Sequence, residues 1–180
     1  VFIDKDQEKT KKNINRNINV NINGKNSNVL INISSISLNE NNYDVSIHHN
    51  NKNCTSNTNI HGLTIDNNSI YIKNNGYIPN GSEKSVLHQD NKIIAMNDNK
   101  SKIEPNLFID EYDVEASHGA YIGKFDEEEL FYLNSRGLDE NKCYELLING
   151  FLLNEFNITD DVKDDLKKII KKYWRWKNEL

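Results

Sequence analysis

"DVEASHGAYIGKFDEEELFYLNSRGL", residues 113–138, is where the chain changes character. Upstream, asparagine, lysine and isoleucine alternate in short polar runs. Within the stretch a lone histidine, His118, sits among Ser117, Gly119 and Ala120, and a block of acid, aromatic and leucine follows. Asp126 has the chemistry of a helix N-cap, and Glu129 three residues on completes a capping-box pattern. Leu130, Phe131, Leu133 and Asn134 follow at helical spacing, and Gly137 supplies a left-handed stop after Arg136. A second helix is predicted from about Asp139, with Cys143, Leu146, Leu147, Gly150, Leu153 and Phe156 on its apolar face. A third starts at Thr159, with Asp160 and Asp161 in its first turn and Lys167, Lys168, Lys171 and Lys172 toward its end, which suits the helix dipole. Val162, Leu166, Ile169, Ile170 and Tyr173 give it an apolar stripe.

Working back from His118, the pattern is strand. From Ile14 to Ile36 isoleucine and valine alternate with polar residues, the period a half-buried strand requires. Short strands are predicted at Val45–Ile47, Ile60–Ile65, Ser69–Ile72, Val86–Leu87, Ile93–Met96 and Leu107–Ile109, separated by Asn-Gly, Asn-Asn and Pro-Asn-Gly turn signals. A sandwich, a barrel or a parallel solenoid all fit. Asparagine favours the solenoid, because it tolerates left-handed backbone at corners and its amides stack along a solenoid side. The expected organisation is a low-complexity insert over residues 1–28 entering the solenoid, a β-solenoid body over 29–122, and a helical domain over 123–180. The charged part up to Lys12 is expected to be looped or disordered. The boundary is expected between Val114 and Phe125, around the histidine.

Composition narrows the function. The 180 residues are 36 % hydrophobic with a net charge of −5. An acidic balance argues against a nucleic-acid binder. No run approaches the roughly 18 apolar residues of a membrane span. Two cysteines, Cys54 and Cys143, make neither a disulfide framework nor a C-x-x-C pair. P-loop, nucleophile-elbow, zincin and dinucleotide fingerprints are absent, so no nucleotide is expected on this chain. His48 and His49 near Cys54 could ligate a soft metal but lack a second cysteine, and they read as loop residues. His61 and His88 have no distinguishing context. Cys143 reads as a buried small hydrophobe, and Trp174 and Trp176 as helix packing or an aromatic patch for a partner. His118, among small residues that leave its ring accessible, reads as a turn histidine or a functional one.

The stretch 113–138 resembles the signature of the SufB/SufD family of iron–sulfur cluster assembly proteins: an acidic-Val pair, Ser-His-Gly-Ala, a Gly, Asp-Glu-Glu before Leu-Phe-Tyr-Leu, then Ser-Arg-Gly. The likeness continues through "LLINGFL" at 146–152. Upstream it follows "CTSN" at Cys54, Gly62, Gln89, "IIAM" from Ile93 and "EPNLFI" around Pro105. Ser-His-Gly-Ala is similar to the SufD branch. SufB-type sequences look like His-Glu-Ala and carry a cysteine where Asp90 follows Gln89.

The resemblance implies a right-handed parallel β-helix followed by a helical domain, mostly β with C-terminal α. It implies a non-catalytic scaffold that pairs with a SufB-like subunit and docks a SufC-like ATPase. A transient iron–sulfur cluster would form at the seam, with His118 as the interface residue and candidate iron ligand. The ATPase-docking helices would present Leu130, Phe131, Leu133, Arg136, Leu147 and Phe151. The compartment implied is a relict plastid or a bacterial cytoplasm. The competing expectation is a β-solenoid enzyme acting on a carbohydrate or an acyl donor. A SufB-like subunit that has lost its cysteine is a third.

Overall fold

The computed structural model describes residues 13–97, 100–154, 156 and 159–175; within the last helix the side chains of 169 and 172–175 are not described. The charged segment up to Lys12, expected to be looped, and both tryptophan side chains therefore lie outside the described residues. The chain divides into two compact units, Val1–Gly123 and Lys124–Leu180.

The first unit is a parallel β-solenoid. Its strands are β1 (Ile14–Ile22), β2 (Asn28–Ser37), β3 (Glu40–His49), β4 (Thr55–Thr64), β5 (Ser69–Ile78), β6 (Ser85–Ala95), β7 (Lys102–Ile109) and β8 (Val114–Gly123). Odd strands form one sheet in the order β1-β3-β5-β7 and even strands a second, β2-β4-β6-β8. Each turn of the chain thus adds one strand to each sheet, always parallel.

Alternation explains the burial. Val45, Ile47, Ile60, Ile70, Ile72 and Ile93 point inward and are buried, while their polar neighbours face out. The outward asparagines form ladders between turns: Asn42 donates to Asn15 and Asn59 to Asn32, each at 2.9 Å, and Asn106 to Asn75 at 3.0 Å. At the corners Asn26 and Asn53 take φ of 59° and 55°, the left-handed backbone that asparagine adopts at little cost. Gly76 sits where the sheets close on each other, since a Cβ there would meet Leu87 Cδ1 at 2.4 Å.

Two local expectations are corrected. His48 and His49 are strand residues, not loop residues: His48 stacks outward on Tyr77 with ring centroids 4.3 Å apart, and His49 points into the core. Residues 114–123 form β8, so His118 stands mid-strand rather than in a turn. Alanine, serine and glycine have little strand propensity, and pairing with β6 supplies what the side chains do not.

His49 carries a pH consequence. Its Nε2 shares a 2.7 Å hydrogen bond with Ser56 Oγ, and its Nδ1 has no partner among the described residues. Burial pushes the imidazole below its ordinary value of 6.5. The unfolded chain therefore takes up a proton that the folded chain refuses. This contribution is fully present above about pH 6.5 and is lost as pH falls from there toward the lowered folded value. Denaturant midpoints should fall between pH 7.5 and 5.5, and His49→Gln should remove from that slope at most about 1.4 kcal/mol per pH unit. An identical slope in the variant would mean that His49 is not the group responsible.

The second unit holds α1 (Glu127–Ser135), α2 (Glu140–Leu153) and α3 (Asp160–Arg175). Asp126 caps α1 by accepting from the Glu128 N–H at 2.8 Å, and Asp139 caps α2 by accepting from Lys142 N–H at 2.8 Å. Gly137 takes φ of 90°, the left-handed stop. On α2 the buried side chains are Cys143, Ile148, Leu152 and Leu153, and Ile170 is buried on α3. Leu146 is exposed, against the apolar face expected for it. Apolar residues surround much of this helix, so spacing alone did not set its rotation.

Candidate functional site

The last strand of the even sheet organises the site. In a parallel ladder, successive residues turn their backbone groups to opposite neighbours. The Val86 N–H bonds the Cys54 carbonyl at 2.9 Å, so even-numbered residues of β6 serve β4 and odd-numbered ones serve β8. Ser85 stands opposite Val114 and Gln89 opposite His118. Odd residues of β8 therefore bond back to β6. Ala116, His118, Ala120 and Ile122 turn their backbone groups to the open edge, because β8 ends its sheet.

Register also fixes the side chains. Gln89 is on the buried, inward row of β6, so His118 is on the inward row of β8. It is nevertheless exposed, for among the described residues no further strand pairs beyond β8. Its outward neighbours confirm the alternation: Ser117 Oγ meets His88 Nδ1 at 2.7 Å, and Glu115 lies 3.7 Å from His88 Nε2. Around the same end of the solenoid, Phe108, Ile109, Tyr121 and Ile122 are 38 to 49 % exposed.

Beneath His118 the interior turns polar. Thr58, Asn74, Gln89 and Asn91 are all buried. Asn74 Nδ2 donates to Asn91 Oδ1 at 2.9 Å, Asn91 Nδ2 to the Gly119 carbonyl at 3.1 Å, and Gln89 Nε2 to the Asn74 carbonyl at 3.3 Å. This amide chain ties β5, β6 and β8 together below the histidine. Sequence reasoning did not find it. The only trace was two polar residues, Gln89 and Asn91, at inward positions of a strand that otherwise alternates Leu87 and Ile93 inward.

The other candidates separate. Cys54 is buried, with its thiol 3.2 Å from the Gly24 carbonyl and 3.5 Å from that of Lys52. It does not meet His48 or His49 at a shared site, and no group of three metal-capable side chains occurs among the described residues. His61 is buried 3.7 Å from Asp90. In the helical unit Phe131 and Arg136 are exposed, the Arg136 guanidinium lying 5.2 Å over the Tyr132 ring. Leu130, Leu133, Leu147 and Phe151 are half-buried, and Phe151 packs edge-on against Phe125 at 6.2 Å.

A family model described as "SUF system FeS cluster assembly, SufBD core domain" matches residues 7–151. The chain belongs to the SufBD family of iron–sulfur cluster assembly proteins. It is 34 % identical over 116 residues to the iron–sulfur cluster assembly protein SufD of Bacillus subtilis, covering 62 % of this chain and 26 % of that protein. It is 39 % identical over 101 residues to a SufBD family protein of Pyrococcus horikoshii, covering 53 % and 22 %. A chloroplastic protein of Arabidopsis thaliana, ABCI7, is 35 % identical over 74 residues, covering 38 % and 16 %. The matched region thus spans about a quarter or less of these relatives' length. The family is described as one of iron–sulfur cluster assembly. Among the described residues no helix is long and apolar enough to cross a membrane.

Proposed function

We propose that this chain is part of a SufD-type scaffold subunit, non-catalytic itself, within a SufBCD-type assembly complex. The observation that carries the reading is His118: an exposed imidazole on the lumen-facing row of a strand whose outer edge is open. A SufB-like sister chain pairs with that edge, against the exposed Phe108, Ile109, Tyr121 and Ile122. The nascent iron–sulfur cluster is cargo at the seam. His118 offers it one imidazole nitrogen and the sister supplies thiolate, a mixed ligand set suited to a cluster that must later leave. One ligand from this side is enough to register the cluster without trapping it.

The helical unit is the handle for a SufC-like ATPase. Exposed Phe131 and Arg136 form the contact, with Leu130, Leu133, Leu147 and Phe151 holding the helices in shape. This chain binds no nucleotide. Hydrolysis in the ATPase shifts the population between closed and open seams. The working compartment is a relict plastid, supported by the chloroplastic relative and the asparagine- and lysine-rich composition; a bacterial cytoplasm is the alternative.

Co-expression with SufB-like and SufC-like chains, followed by native mass measurement, tests this. The expected species holds this chain's subunit, one SufB-like subunit and an ATPase on each. Recovery of this subunit alone, or only with itself, would reject the reading.

A further inference from the structure

Gln89 is 4 % exposed, and its two amide ends fare differently. Nε2 is committed to the Asn74 carbonyl at 3.3 Å, while Oε1 has no hydrogen-bond partner among the described residues. A buried carbonyl oxygen left unpaired is costly, so a donor is wanted there. Asn74 Nδ2 and Asn91 Nδ2 each donate elsewhere, to Asn91 Oδ1 and the Gly119 carbonyl, and neither they nor Thr58, opposite Gln89 on β4, bonds Oε1. Directly above in register, on the same inward row, stands His118, which makes no hydrogen bond to another described residue. The two backbones are one strand spacing apart, about 4.8 Å. Rotation of an exposed imidazole is fast on the side-chain timescale and can carry a ring N–H toward Oε1.

We infer that Gln89 is the positioning residue for His118: its Oε1 accepts the imidazole N–H and so leaves the other ring nitrogen as the lone-pair donor facing the open edge. An amide oxygen only accepts, so the bond selects one neutral tautomer and one ring orientation. This rests on the scaffold reading for its purpose, because a ligand held this way meets iron without first choosing a tautomer.

The test uses the full-length protein labelled with 15N-histidine and long-range proton–nitrogen correlation spectra. The His118 ring should show one neutral tautomer in the wild type and a mixture of both in Gln89→Met, which keeps the length but removes the acceptor. The His49 signal, bonded to Ser56, reports whether the variant is folded. A mixture already present in the wild type overturns the inference even if the variant fails to fold, and so does a ring unchanged by Gln89→Met. In the reconstituted complex, Gln89→Met should also lower iron–sulfur loading by about 10-fold. A shifted tautomer with undiminished loading supports the positioning role and sinks instead the assignment of His118 to iron.

Discussion

The double substitution Ala116→Pro and Ala120→Pro should weaken pairing with a SufB-like partner by about 100-fold while leaving the chain itself folded. Both residues turn their N–H groups to the open edge of β8, as the register of β4, β6 and β8 requires. Proline removes those donors and puts a ring where a neighbouring strand would lie. The ladder to β6 uses the odd residues, Ser117, Gly119 and Tyr121, and keeps its bonds. Two lost inter-strand hydrogen bonds amount to roughly 3 kcal/mol, which converts to about 100-fold in dissociation constant. Titration of the labelled variant with the partner measures the loss, and thermal unfolding of the free protein controls for the fold. Unchanged affinity would mean that the partner does not add to this edge, and the exposed Tyr121 and Ile122 would need another explanation.

What could be read in advance followed local chemistry. Alternating isoleucine and valine marked β1 and β2, and short apolar runs marked β3 to β7 though not their full lengths, with β6 read as two strands, because the intervening and flanking residues are polar ones that only the ladder holds extended. Asparagine pointed to a solenoid for two physical reasons, and both are present: left-handed corners at Asn26 and Asn53, and amide ladders such as Asn15 to Asn42. Asp126, Asp139 and Gly137 placed the helix ends because capping is decided within a few residues.

The site was legible only in part. His118 drew notice through its small neighbours, yet those same neighbours hid the strand it occupies. That Gln89 lies beneath it follows from pairing two strands separated by a long connection, which no local pattern encodes. Rotation of α2 failed for a related reason. Leu146 and Ile148 are equally apolar, and only packing decides that Ile148 is the buried one.

In the proposed scaffold, His118 lends a nitrogen to a cluster that this chain alone does not hold. The ring is exposed, so His118→Ala removes little packing; it should leave partner binding unchanged and, through the lost Gln89 contact, lower melting only slightly. Cluster loading is another matter: losing a direct ligand should cost no less than losing the group that orients one, on the order of 10- to 100-fold. The most direct measurement is iron and sulfide content of the reconstituted complex, wild type against His118→Ala, at equal complex concentration. A fall of that size with the complex intact is the predicted result. Equal loading in the two complexes would contradict the claim and leave His118 an exposed side chain at the end of a solenoid.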